Sequence, residues 1–247
     1  MHPAFARTDH RPWQVPQRPW SMRQSWLDLL FAHWPVPRSV LRPHVPPELE
    51  LQEFDGTSWI GLVPFRMQGV TARFMPSLPW LSAFPELNVR LYVEAEGKPG
   101  VWFLSLDATQ PLAVWAARRF FHLPYFRAEM SLTVAASEVC YRSRRRDSEL
   151  SFCGRYRPTG EAAESLPGSL AHFLTERYCL YAKAPDGTLL RNEVHHLPWP
   201  LQPAEAEFTE NSMLAPYGLA NALTPPVLHF AHRLDVVVWD ADTCSPA

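Results

Sequence analysis

The sequence predicts a mostly β, α+β fold on three observations. Stretches of apolar–polar alternation recur along the chain, and period two marks a strand with one apolar face. Short turn signatures, Asp55-Gly56 above all, separate them. Finally, 26 prolines against 10 glycines favour rigid loops and strand ends over long helices.

Residues 1 to 20 hold proline, arginine and tryptophan without periodicity, and read as an arm laid over the domain, with Trp13 and Trp20 as anchors. The apolar run from Gln24 to Pro35 fits helix or strand, and Pro35 and Pro37 favour a strand entering a turn. Arg38 to His44 reads as a short helix and Leu49 to Phe54 as a strand. Asp55-Gly56 then turns a hairpin that needs positive φ, with Ser58 to Gln68 returning from it. Residues 69 to 85 hold prolines among apolar side chains and suggest a long, packed loop or lid.

From Phe84 onward Leu87, Val89, Leu91 and Val93 point one way, while Glu86, Asn88, Arg90, Tyr92 and Glu94 point the other. Glu96 to Gly100 supplies turn chemistry, and Val101 to Leu106 returns as a nearly all-apolar strand, buried on both faces. Pro111 suits a first helical turn with Thr109 or Gln110 as cap. The helix runs to His122 and ends before Pro124, because a residue preceding proline avoids the α region. Arg118 and His122 then share a face, and Tyr125 to Val134 resumes the alternation.

A second hairpin sets Val139 and Tyr141 beside Leu150, Phe152 and Tyr156. With its turn centred on Arg146-Asp147, Cys140 faces Cys153 and Arg144 faces Glu149. The arginine run over 142–146 reads as a solvated hairpin tip. A helical turn over 170–175 and strands over 176–182, 189–195 and 227–239 complete the pattern.

With 47% hydrophobic residues among 247, residues 21–247 can bury a core as one domain behind the arm of residues 1–20. A net charge of -2 provides no field toward nucleic acid or anionic membrane, so a small molecule is the expected partner; a homo-oligomer is left open. No apolar run of about 18 residues marks a membrane span. The charged N-terminal residues lack a signal peptide's apolar stretch, and Cys140, Cys153, Cys179 and Cys244 form no CxxC pair, which together suggest the cytoplasm.

The chain has no GxGxxG, Walker, GxSxG or HExxH motif, and the pairs His195-His196 and His229/His232 point to opposite strand faces. Neither a cofactor nor a metal is expected. Lys98 and Lys183, the two lysines, fall in turns, where an amine is neither desolvated nor set beside another cation. Amine catalysis is therefore disfavoured.

Five segments carry a family likeness: Asp55 to Gly61, Phe84 to Arg90, Ser105 to Ala108, Leu123 to Phe126 and Glu176 to Tyr178. On these the chain is similar to the YqjF-like branch of the acetoacetate decarboxylase-like superfamily, which its central stretch from Phe84 to Met130 resembles. The resemblance implies an antiparallel β cone or barrel around a cavity. It also sharpens the amine argument. The decarboxylase has two lysines after a proline six residues beyond a Gly-Arg step; here Ala117-Arg118 and Pro124 match that frame, but Tyr125 and Phe126 stand at the lysine positions.

A polar stripe on a strand is ordinarily the wet side, whereas the resemblance implies that Glu86, Asn88 and Arg90 line the cavity. There Arg90 and Arg118, with Asn88, would bind an anionic or carbonyl-bearing ligand. Glu86, if burial raises its pKa, and Tyr125 would move a proton. Glu86 and Arg90 lie about 13 Å apart at Cα, so separate partners are expected rather than one ion pair. His33 and Arg177 are further wall candidates. An enzyme acting by acid–base or electrostatic chemistry and a non-catalytic binding or sensing protein both fit this reading.

Overall fold

A computed structural model of the protein describes residues 2–73, 83–219 and 224–244. The strands are β1 (Met22–Val36), β2 (Glu50–Leu51), β3 (Ser58–Ala72), β4 (Phe84–Ala95), β5 (Lys98–Ala108), β6 (Tyr125–Ala135), β7 (Glu138–Arg145), β8 (Ser151–Pro158), β9 (Cys179–Lys183), β10 (Leu189–His196), β11 (Gln202–Asn211), β12 (Val227–Val238) and β13 (Asp242–Thr243). Among the described residues three short α-helices interrupt them: α1 (Arg38–Leu41), α2 (Pro111–Phe120) and α3 (Leu170–Thr175). None is long and apolar enough to cross a membrane.

All 13 strands join one sheet. Its run β12–β1–β3–β4–β5 closes on itself twice, through β9–β10 and through β6–β7–β8–β11, which gives the ring-like β wall that the resemblance implies. Pairing is antiparallel except that β5 runs parallel to β6 and to β9. The parallel β5–β6 pair exists because α2 carries the chain back between them.

The alternation along β4 sorts its side chains as the sequence suggests. Leu87, Val89, Leu91 and Val93 pack with Tyr141, Phe152, Tyr156 and Phe230 on one side of the sheet. Glu86, Asn88, Arg90 and Tyr92 are buried on the other, so the stripe faces the interior and not water. Glu96-Gly97 takes φ of 52° and 69° in a two-residue turn to β5, with Lys98 already paired to Ala95. On β5, Trp102, Phe103 and Leu104 are half-buried, so the strand is less enclosed than its composition suggests.

Several expectations need correction. Asp55-Gly56 does turn at φ 48° and 73°, but only Phe54 and Thr57 pair across it. The strand before it shrinks to β2 and pairs with β4 instead. Residues 74–82 of the expected loop lie outside the described residues; β3 runs on to Ala72. In the β7–β8 hairpin Arg145 N–H donates to Leu150 O, so the turn spans four residues and the register moves by two. Cys140 therefore faces Arg155, Cys153 faces Arg142, and both thiols are free. His122 sits beyond the end of α2 at φ 52°, although it still lines one surface groove with Arg118. The strand expected from Glu176 begins at Cys179, and β11 has no counterpart in the expected elements.

Residues 2–20 pack on β10 and β12. Arg11 Nη2 and Trp13 Nε1 both reach Glu193 Oε2, at 2.8 and 2.7 Å, while His10 Nε2 lies 2.8 Å from His196 O.

Candidate functional site

A cavity of about 200 Å³ lies on the inner side of β1, β3, β4 and β5, with α2 across it. Most of its wall is apolar: Trp26 and Leu29 from β1, Val63 and Phe65 from β3, Leu106 from β5. The side chains that α2 turns inward are Ala113, Ala116 and Ala117, whose small size leaves the space open. Polar groups collect on β4, whose alternation lines up Glu86, Asn88 and Arg90. Tyr125, first residue of β6, reaches them across the parallel pair.

Tyr125 Oη donates to Glu86 Oε2 at 2.7 Å. Glu86 is 2% exposed and has no cation beside it among the ion pairs of the described residues. Burial raises its pKa to about 8; the tyrosine hydrogen bond pulls down, and Asp107 pushes up. At neutral pH Glu86 therefore keeps its proton. Burial and the neighbouring Glu86 hold the Tyr125 hydroxyl well above its ordinary range. Asp107 lies against Arg145, with Nη2 to Oδ1 at 2.7 Å, and the guanidinium stacks 3.8 Å from the Phe126 ring. Burial raises Asp107 as well, against the pull of Arg145.

Arg90 has different partners, as the strand spacing requires. Its Nε donates to Tyr92 Oη and its Nη2 to Leu174 O, both at 3.1 Å, with the Phe31 ring beneath it at 4.9 Å. His33 Nε2 lies 2.5 Å from the same Tyr92 hydroxyl. Burial and Arg90 hold His33 well below the usual imidazole range, so the ring that meets the Tyr92 hydroxyl is neutral. Gly61, opposite Arg90 on β3, makes this packing possible: a Cβ there would stand 3.0 Å from the His33 ring and 3.3 Å from Arg90 Cγ.

Glu86, Asn88, Arg90 and Tyr125 thus meet in one cavity, and Arg118 does not. It lies exposed on the outer side of α2, its Nε bonded to the Tyr125 carbonyl at 2.6 Å, because the inward face of the helix is the alanine face. His33 and Arg177 support the wall from behind without lining it: Arg177 stacks 4.5 Å from Phe173 and bonds Gln52. Gln24, Trp26 and Trp199 are wall residues that sequence reasoning missed. Gln24 and Trp26 could have been read from alternation along β1; Trp199, between two prolines, had no periodic signal.

Lys98 and Lys183 sit in ion pairs with Glu193 and Glu48, at 2.8 and 2.7 Å, away from the cavity. Among the described residues no three His, Cys, Asp or Glu side chains group to hold a metal ion.

A closed β cone around a small apolar cavity with one polar wall defines the class, and the comparisons agree. The chain belongs to the DUF2071 family, described as an uncharacterized conserved protein, whose model matches residues 23–235. It is 45% identical over 226 residues to the uncharacterized protein YqjF of Bacillus subtilis (strain 168), covering 91% of this chain and 93% of that one. Among solved structures it is similar to the enduracididine biosynthesis enzyme MppR, complexed with the condensation product of pyruvate and imidazole 4-carboxaldehyde. That match has a TM-score of 0.68 at 13% identity, over 93% of this chain and 91% of that one. Acetoacetate decarboxylase from Legionella pneumophila subsp. pneumophila str. Philadelphia 1 matches with a TM-score of 0.64 at 12% identity, over 96% and 92%. At such identities these two establish the fold alone.

Proposed function

We propose that this protein binds a small anionic or carbonyl-bearing molecule in the β4 cavity and performs acid–base chemistry on it without an amine nucleophile. The observation that carries this reading is the pairing of opposite roles on one strand. Glu86 is a buried carboxyl with its pKa raised to about 8 and bonded to Tyr125, while Arg90 is a buried guanidinium absent from the ion pairs of the described residues. Arg90 takes the anionic group. Glu86 exchanges a proton with the bound molecule, and the Tyr125 hydroxyl steadies its carboxylate form. Tyrosine and phenylalanine at positions 125 and 126, and two lysines engaged elsewhere, support chemistry without a Schiff base. The fold neighbour holding a pyruvate product supports the size class of the ligand.

The test pairs binding with proton exchange. Small oxo acids are expected to raise the melting midpoint, their amides are not, and Arg90→Met removes the rise. In deuterated water, NMR should show the wild-type protein accelerating exchange of the protons beside the ligand carbonyl, and Glu86→Gln abolishing it. Binding without accelerated exchange would leave a binding or sensing protein and end the acid–base role of Glu86.

A further inference from the structure

Hydrogen bonds in the cavity are unevenly satisfied. Glu86 has Tyr125, and Arg90 has Tyr92 and Leu174. Asn88 stands between them on the same face, 5% exposed, and its Oδ1 is buried with no donor. Trp26 and Trp199, also on the wall, each carry a buried indole N–H without an acceptor. Buried polar atoms are almost always paired, so an unpaired acceptor and two unpaired donors in the wall of one cavity are the groups that a ligand completes as these side chains turn to meet it.

Resting on the reading above, we infer that the ligand is a small hydroxycarboxylic acid: Arg90 takes the carboxylate, and a hydroxyl donates to Asn88 Oδ1 while remaining able to accept from an indole. A keto oxygen accepts but cannot donate, and an unsubstituted acid leaves Asn88 open. Alternate residues on a strand face lie about 6.6 Å apart, so the two ligand groups sit within a few bonds of each other. Size is bounded too. A dry cavity of about 150 Å³ holds benzene, so roughly eight to ten non-hydrogen atoms fill this one of about 200 Å³. The remainder of the molecule is apolar, to match Leu29, Val63, Phe65 and Leu106. Asn88 is thereby the residue that sets specificity.

The experiment is calorimetric titration of the full chain with hexanoate, 2-hydroxyhexanoate, 3-hydroxyhexanoate and 2-oxohexanoate, repeated with Arg90→Met and Asn88→Leu. One hydroxy acid should bind about tenfold more tightly than hexanoate and the oxo acid, and Asn88→Leu should erase that preference while hexanoate affinity persists. Should that variant fail to fold, the methyl ether of the preferred acid on the wild-type protein replaces it: the ether keeps the oxygen, lacks the proton, and is expected to bind like hexanoate. Equal affinity for all four acids, or preference for the oxo acid, overturns the inference. If those acids still depend on Arg90, the anion-binding reading survives that failure; if no acid binds, both fall.

Discussion

Glu86 and Glu193 are each 2% exposed, on strands of the same sheet, yet they are opposites. Glu193 gathers Arg11 and Lys98 at 2.8 Å, Arg191 at 3.5 Å and the Trp13 indole at 2.7 Å. Those contacts fasten the chain's first residues to β10. Glu86 has the Tyr125 hydroxyl and, nearby, another carboxylate in Asp107. A buried glutamate among cations is a structural clamp; one without them keeps a proton near neutral pH. Burial by itself separates neither case, and the partners do.

The largest effect expected from this contrast is at the clamp. Glu193→Gln leaves Arg11 and Lys98 without their shared counter-charge and should cost about 3–5 kcal/mol in urea denaturation. A loss near zero would reduce the cluster to ordinary surface pairing. Next comes the pH dependence of Glu86. Its pKa rises on folding from the usual 4.5 to about 8, so the native state keeps a proton that the unfolded chain sheds. Its contribution to stability is complete below pH 4.5 and is lost as pH rises toward 8, by about 1.4 kcal/mol per unit. Glu86→Gln, which copies the protonated shape, should therefore gain on the wild-type protein steadily across that window. Parallel stability curves for the two proteins would mean that Glu86 does not hold the proton.

Tyr125→Phe is a smaller change, costing about 0.5–1.5 kcal/mol for one hydrogen bond. It also removes a contact that lowers the Glu86 pKa. Carbon-13 titration of the carboxyl should find that pKa higher in the variant; an unchanged value would uncouple the two side chains. The smallest effect belongs to the exposed strand pair β8–β11, where Arg155 Nη2 meets Glu207 Oε2 at 2.6 Å, closer than any contact of Glu193. Glu207→Gln should leave the denaturation midpoint where it was, because water already solvates both charges. A measurable drop would show that distance rather than burial governs these pairs.

Much of this was legible in the residues themselves. Alternation placed β4 and separated Glu86, Asn88 and Arg90 from Leu87, Val89 and Leu91, and Pro111 marked the start of α2. Period two says which side chains share a face but not what that face meets; the choice between water and cavity depends on sheet closure, carried here by the family resemblance. Register was less legible. A turn of four residues instead of two keeps the same hydrophobic pattern, so the β7–β8 strands slid and Cys140 moved away from Cys153. β11 escaped because two of its three inward residues, Ala204 and Ala206, are small and leave Phe208 as the one large apolar side chain among Glu205, Glu207 and Glu210. Arg118 was misplaced because position on a helix does not reveal which side turns inward when alanines form the inner face.

Met22 pairs with Val238, and both residues border the cavity. The wall is therefore sewn from residues more than two hundred positions apart, and local contacts cannot complete it. During synthesis every other part of the pocket can be outside the ribosome while this seam stays open, so a nascent chain halted before β12 has no enclosed pocket in which to hold a ligand. Binding competence therefore requires β12 to be in place, whatever the rest of the wall has already formed.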